Sequence, residues 1–389
     1  MNFQFDEELT MLRKMVRDVA EEKVKPRAAE IDETGEYPYD IFQVLKDAGL
    51  TGVSFPEAYG GSGLGATGLC IAIEEVSKYC CSTGLILLLT YLPTLPIRIA
   101  GTEEQKQKYL TPIAMGEKRA AFCLTEPGAG SDAANIKTKA VRDGDDYIIN
   151  GTKCFISGAS VADYVTVFAK TDPKKGMKGM SAFIVEANTP GFSIGTLERK
   201  MGVRGVPLCE VVFDNVRIPK GNLLGVENEG FKVAMKTLNS MRPIVGARGL
   251  GLAQGALEYA IAYAKERTTF GKPLTDHQGL RWMIADMALQ IEAARLLIFQ
   301  AAELIDAGKI DKRYAGALSM SKLYPTDMAM KVAIDAAQIL GGHGYIKDHP
   351  MERYIRDAKQ LQIVEGTSQI QREIISKNII EYGLPRRDW

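Results

Sequence analysis

The stretch AAFCLTEPGAGSD, residues 120–132, is where the periodicity of the chain changes, and its reading decides the fold class. AAFCLT (120–125) is a short strand-like run that ends in a loop of Pro127, Gly128 and Gly130. Upstream the pattern is helical. Leu9, Leu12, Val16, Val19 and Ala20 recur at three- and four-residue steps, the stripe of an amphipathic helix. The period continues through 71–82, 85–92 and 103–109, with Pro38, Pro56 and YGGSGLG (59–65) as breaks. Downstream, YIINGTKCFIS (147–157), DYVTVFAKT (163–171), MSAFIVE (180–186) and CEVVFDNVRIP (209–219) read as strands. Gly144–Asp145, Asn150–Gly151 and Asp214–Asn215 are the predicted turns between them. From Phe231 the helical period returns, over 253–266, 280–307, 314–340 and 367–382. Helices, then strands, then helices, with no βαβ alternation, predict an α+β protein. Its expected parts are an N-terminal helical domain (1–118), an antiparallel β-barrel or sandwich (119–228) and a C-terminal four-helix bundle (229–389).

Composition narrows the function classes. Lys plus Arg equals Asp plus Glu at 48 each, so no global field favours nucleic acid or an acidic membrane. The apolar run 83–100 is interrupted by Pro93, Pro96 and Arg98 and does not read as a membrane span. The first residues, MNFQFDEELTMLRK, are acidic early and do not read as a targeting peptide. The six cysteines show no CxxC spacing and there are only three histidines, which predicts a reduced, cytoplasmic enzyme without metal. Redox chemistry on such a chain needs an organic cofactor, because side chains offer no hydride acceptor.

Four stretches then occur in order: LTEPGAGSD (124–132), ERTTFGKPLTDHQ (266–278), QILGGHGYIKDHPMERYIRDAK (338–359) and IVEGTSQIQ (363–371). Together they resemble the acyl-CoA dehydrogenase family over essentially the whole chain. The resemblance implies FAD as cofactor, an acyl-CoA as substrate, an electron-transferring flavoprotein as electron acceptor and a homotetramer. It places Leu124 and Thr125 against the flavin ring, Gly130 and Ser131 at the pyrophosphate, and Phe155 and Ser157 as a second flavin-contacting pair. The family commonly has Trp where this chain has Phe155, which keeps an apolar shield and loses the indole donor. Arg267, Thr269, Phe270 and Gln278 are implied to hold the diphosphate and adenine side across a subunit interface. Gln338 and Gly342 are implied to meet the same cofactor from the neighbouring chain, and Thr367 and Gln369 to hold the flavin.

Without the resemblance each of these has a plainer reading. The 124–132 stretch is a tight turn, residues 267–278 a polar helix end, and Gly341–Gly342 a helix-ending turn. His343, in a turn without a partner, reads as structural or solvated.

Glu365 is implied to be the base that removes the α-proton of the thioester. Its flanks, Ile363, Val364 and Gly366, are apolar or small, and desolvation there raises a carboxyl pKa. Read alone, it is equally an N-cap for the helix that follows. Some relatives place the base where this chain has Met241, which takes no proton. In the same stretch, LNSMRPIVGARG, Asn239 and Arg242 match substrate-side positions, with Arg242 near the CoA moiety; alone, Arg242 reads as an ordinary surface arginine. Ser131, Val364 and Gly366 complete the expected substrate contacts.

Two departures bear on substrate. The family commonly has Tyr where this chain has Val364, which leaves a smaller wall and room for a branched or cyclic acyl group. The pocket-lining stretch LILLLTYLPTLP (85–96) lacks the arginine that members acting on dicarboxylic acyl groups carry near Thr83, which argues against such substrates. Rival readings are an acyl-CoA oxidase, disfavoured by the length, and a non-catalytic flavoprotein, disfavoured by Glu365.

Overall fold

The structure is a computed structural model and describes residues 5–383. Seven helices precede the strands: α1 (Glu7–Val19), α2 (Ala28–Thr34), α3 (Tyr39–Asp47), α4 (Gly65–Ser77), α5 (Cys81–Tyr91), α6 (Leu95–Ala100) and α7 (Glu103–Ala114). The stripe seen in the sequence buries Leu12 and Val16 of α1, and Asp6 caps that helix by accepting from the Leu9 N–H. Residues 81–100 have enough length and apolar character for a membrane span, but 78% of that window lies inside the fold. Pro93 and Pro96 sit in the first turns of a 3₁₀ turn and of α6, where a missing N–H costs nothing, so the run stays helical.

The strands are β1 (Ala120–Cys123), β2 (Lys139–Asp143), β3 (Asp146–Ser157), β4 (Tyr164–Lys170), β5 (Met180–Glu186), β6 (Phe192–Leu197), β7 (Leu208–Pro219) and β8 (Leu223–Leu224). They form one sheet in the order β6-β7-β3-β2-β4-β5-β8, with β1 beside β4. The pairings are antiparallel except β1–β4 and a single-residue contact of β2 with β4. One face encloses a core of Tyr147, Ile149, Val165, Val167, Phe183, Val211 and Phe213. The other face of β4 and β5 packs against α7 and the first turn of the next helix.

Gly144–Asp145 is a turn, as predicted, between β2 and β3. Asn150–Gly151 and Asp214–Asn215 are not. Both lie inside paired strands, opposite one another at a register shift. Asn215 takes φ 52° as the bulge residue; its N–H donates to Asn150 Oδ1 at 2.8 Å and the Asn150 amide returns a bond at 3.2 Å. The residue types that favour positive φ serve here to bend a long strand.

The last region contains α8 (Gly230–Glu266), a hairpin of β9 (Thr268–Thr269) and β10 (Lys272–Pro273), then α9 (Gln278–Asp306), α10 (Ala315–Leu340), α11 (Met351–Leu361) and α12 (Ser368–Tyr382). Helices α8, α9 and α10 pack together, with α12 against α10. Glycines inside α8 allow the close approach: a Cβ at Gly246 would lie 2.1 Å from the Ser321 carbonyl of α10, and one at Gly251 2.1 Å from the Glu74 carbonyl of α4. One continuous core therefore runs from α1, α4 and α5 through α8, α10 and α11.

Candidate active site

Residues 362–367 form a short loop between α11 and α12, and three side chains brace it. Lys322 of α10 donates from Nζ to the Gly366 carbonyl at 2.9 Å. The Gln371 amide donates to the Glu365 and Gly366 carbonyls at 3.0 and 3.2 Å. Asp327 of α10 accepts from Gln362, Ser368 and Arg372 at 3.0, 2.7 and 2.7 Å. In this frame Glu365 takes φ 56°, a left-handed conformation costly for a residue with a Cβ, and Gly366 takes φ 91°.

The cap of α12 is Thr367, whose hydroxyl accepts from the Ile370 N–H at 3.2 Å, so Glu365 is free of that duty. Glu365 is half-buried, and desolvation drives its pKa up to about 7, moderated by Lys322 and Arg248. Among the described residues its backbone N–H has no acceptor within the protein. Val364 packs on the edge of the main core. Thr367 and Gln369 line a cleft of about 330 Å³ with Asp327, Lys359, Gln362 and Ile363.

A second constellation lies at the end of β1. Cys154 N–H donates to the Thr125 carbonyl at 3.0 Å, and fully buried Lys153 donates to the Leu124 carbonyl at 3.0 Å and Glu126 at 2.8 Å. These bonds set Leu124 and Thr125 beside β3. A bulge between Lys153 and Ile156 leaves Phe155 with φ 55° and 61% exposed, with Ser157 two residues on, at the end of β3. Gly128 and Gly130 face open space, and the N–H groups of Gly130 and Ser131 find no acceptor among the described residues. An exposed ring beside free amide donors suits a flat heterocycle carrying an anion.

The third group is a hairpin, not a helix end. Phe270 and Gly271 have φ 52° and 77°, both positive, as a two-residue hairpin loop of type I′ requires. Phe270 is 96% exposed, Arg267 and Gln278 are exposed, and Thr269 bonds His277 at 3.2 Å. Gln338 and Gly342 are exposed at the end of α10, where Gly341, at φ 60°, ends the helix as read. No hydrogen bond joins residues 267–278 to the 124–157 constellation within the described chain.

Two residues differ from their plainer readings. His343 has a partner, since Tyr263 OH lies 2.9 Å from its Nδ1. Arg242 is no surface residue: it is buried, donates to the Ala315 carbonyl at 3.0 Å, and burial lowers its pKa to about 10. Asn239, also buried, donates to the Ile310 carbonyl at 2.9 Å, and Met241 is fully buried.

Family models for the acyl-CoA dehydrogenase N-terminal, middle and C-terminal domains match residues 6–117, 121–216 and 228–380. The chain belongs to the acyl-CoA dehydrogenase family. It is 47% identical over 380 residues to a short-chain-specific acyl-CoA dehydrogenase of Clostridium acetobutylicum, covering 97% of this chain and all of that one. It is 43% identical to a cyclohexane-1-carbonyl-CoA dehydrogenase of Geobacter metallireducens, over 97% of this chain and 99% of that one. A chain solved in work on the electron transferring flavoprotein of Acidaminococcus fermentans superposes with a TM-score of 0.95 at 45% identity, over 98% of this chain and all of that one. As an acyl-CoA dehydrogenase the chain is an FAD-dependent oxidoreductase, and the open loop at 128–131, exposed Phe155 and exposed Arg267 fit that cofactor.

Sequence reasoning missed the bracing residues. Lys322 had a signal: it lies on the buried stripe Leu318, Lys322, Pro325, Ala329 of α10, where a lysine is out of place. Lys153 had one too, since period-two alternation puts it inward with Tyr147 and Ile149.

Proposed function

We propose that the chain removes hydrogen across Cα–Cβ of an acyl-CoA thioester, with Glu365 taking the α-proton. The observation that carries this is a carboxyl with a pKa raised to about 7, held in a strained backbone that other side chains brace. A base whose pKa sits near the working pH is well matched to a weakly acidic carbon. The unpartnered N–H of Glu365 is the protein donor for the thioester oxygen as negative charge develops there. FAD, when bound, supplies the acceptor for the β-hydride.

Leu124, Thr125, Gly130, Ser131, Phe155, Ser157, Thr367 and Gln369 are the proposed flavin contacts of one subunit. Arg267, Thr269, Phe270, Gln278, Gln338 and Gly342 are those offered to a neighbour's cofactor. A homotetramer belongs to the same proposal. Phe270 at 96% and Tyr345 at 90% exposure support it, as does the exposed stripe Trp282, Leu289, Leu296 on α9. Ser131, Asn239, Arg242, Val364 and Gly366 are the proposed substrate-side residues. Electrons pass to an electron-transferring flavoprotein in a cytoplasmic setting, a partner supported by the likeness to the Acidaminococcus chain.

The test is anaerobic mixing of the holoenzyme with a panel of acyl-CoAs while the flavin spectrum is followed. Bleaching by an acyl-CoA is expected, and Glu365→Gln is expected to keep its flavin yet lose bleaching. Undiminished reduction in that variant would end the proposal.

A further inference from the structure

We propose that Lys322 is a positioning residue for Glu365, holding the Gly366 carbonyl and placing a buried positive charge beside the base. This rests on Glu365 being the base, as proposed above.

The argument starts from burial. Lys322 is fully buried in α10, and an ammonium there is costly unless it is compensated. Among the described residues its one acceptor is neutral, the Gly366 carbonyl at 2.9 Å. A long apolar residue would fill the same space at lower cost. What justifies the charge is the company it keeps. Glu365 is the anion acting most strongly on Lys322, with Asp327 second and Arg242 opposing.

The charged groups around the loop come from four helices and the loop itself; Lys359 of α11 donates to Gln362 at 3.1 Å, and Arg372 of α12 pairs with Asp327. Lys322 and Asp327 lie on α10, and Asp327 is already bonded to Arg372, Ser368 and Gln362. Arg242 and Arg248 lie on α8, each buried and bonded elsewhere, to the Ala315 carbonyl and to Gln360 respectively. Glu365 itself supplies the loop. Lys322 is thus the cation that both touches the loop and acts most strongly on the base.

Two consequences follow. The anchor fixes the Gly366–Thr367 peptide, directly after the two left-handed residues Glu365 and Gly366, and so limits the turn in which the Glu365 N–H is unpartnered among the described residues. The charge opposes the desolvation of Glu365 and lowers the pH at which the base ionises. Burial lowers Lys322 itself to about 8, so it is charged where Glu365 begins to ionise.

The test uses the FAD-loaded enzyme and follows exchange of the α-hydrogen of butyryl-CoA with deuterated solvent across the neutral pH range. Lys322→Met is expected to move the acid limb upward by about one pH unit, as loss of a neighbouring opposite charge does. Lys322→Arg, which keeps the charge, is expected to hold the limb near its original place. Flavin content and the thermal midpoint are read alongside, and Lys322→Gln decides in the same way if the Met variant does not fold. An acid limb that stays put, or exchange lost at every pH, in both neutral variants overturns the inference. Exchange that persists in Glu365→Gln overturns instead the reading it rests on, so the two failures are distinguishable.

Discussion

Lys153 in β3 and Glu126 in the loop after β1 form an ion pair at 2.8 Å, with the lysine fully out of solvent. Burial works against the Glu126 carboxylate. Lys153, Thr138 and the Lys137 N–H outweigh it and hold the group below the usual carboxylate range. The pair ties the 124–132 loop, which carries the proposed flavin contacts, to the strand that presents Phe155. Removing one partner strands a buried charge. Lys153→Met is expected to cost roughly 3–5 kcal/mol, and Lys153→Met with Glu126→Gln to recover much of it. Urea midpoints of the three proteins, with flavin content measured on each, check this; a single variant as stable as the parent would remove the pair from the account.

Glu365 predicts a trade between stability and turnover. Its folded-state pKa, about 7, lies above the ordinary 4.5, so the folded chain binds this proton more tightly than the unfolded chain does. The associated stability is complete below pH 4.5 and is lost as pH rises toward 7. Glu365→Gln is therefore expected to abolish turnover while stabilising the protein above neutrality, by up to about 3 kcal/mol. The gain should vanish in mild acid. Thermal midpoints of parent and variant at pH 8 and pH 5 test the sign, and an equal gain at both would refute it.

The order helix, strand, helix was legible because it rests on a local signal, a change of period; Glu365 as a base came from the family resemblance, since its apolar flanks alone left an N-cap equally open. What was hidden depends on contacts between distant residues. The role of Gly246 and Gly251 shows only once α10 and α4 are seen pressed against them. Asn150–Gly151 and Asp214–Asn215 look like turns until each is found opposite the other. Phe155, Phe270 and Glu365 all adopt positive φ without being glycine, a conformation their identities disfavour and only the surroundings impose. Lys322 and Lys153 were visible only as lysines at inward positions, and their partners lie 44 and 27 residues away.

The exposed stripe on α9 predicts an assembly that matters to the cofactor. Trp282, Leu289 and Leu296 recur every seven residues and stay between 54% and 70% exposed. Leu289→Lys places a charge in the centre of that stripe, away from every proposed flavin contact. If a second subunit covers it, the variant should sediment as a smaller species and hold less FAD at equal protein concentration. Analytical ultracentrifugation with flavin absorbance reads both at once. An unchanged mass would argue that this face is solvent-exposed in the assembly.

Val364 carries the substrate prediction. It adjoins Glu365 and is partly buried against the main core, and it is the residue we propose as the wall nearest the base. Val is smaller than the Tyr expected there, and the chain stands near both a short-chain and a cyclohexane-1-carbonyl enzyme, so those names alone do not choose. Size does discriminate. A wall that ends at a branched carbon leaves room beside Cα for a ring, whereas an aromatic ring at the same place fills it. Val364→Tyr is expected to lower kcat/KM for cyclohexanecarbonyl-CoA by about ten- to a hundredfold relative to butyryl-CoA, since a lost fit of one or two methylenes costs roughly 1–3 kcal/mol. The ratio of the two values, measured in parent and variant with the same electron acceptor, is the test. If the parent already prefers butyryl-CoA strongly and the variant leaves the ratio where it was, Val364 does not set the choice of acyl group.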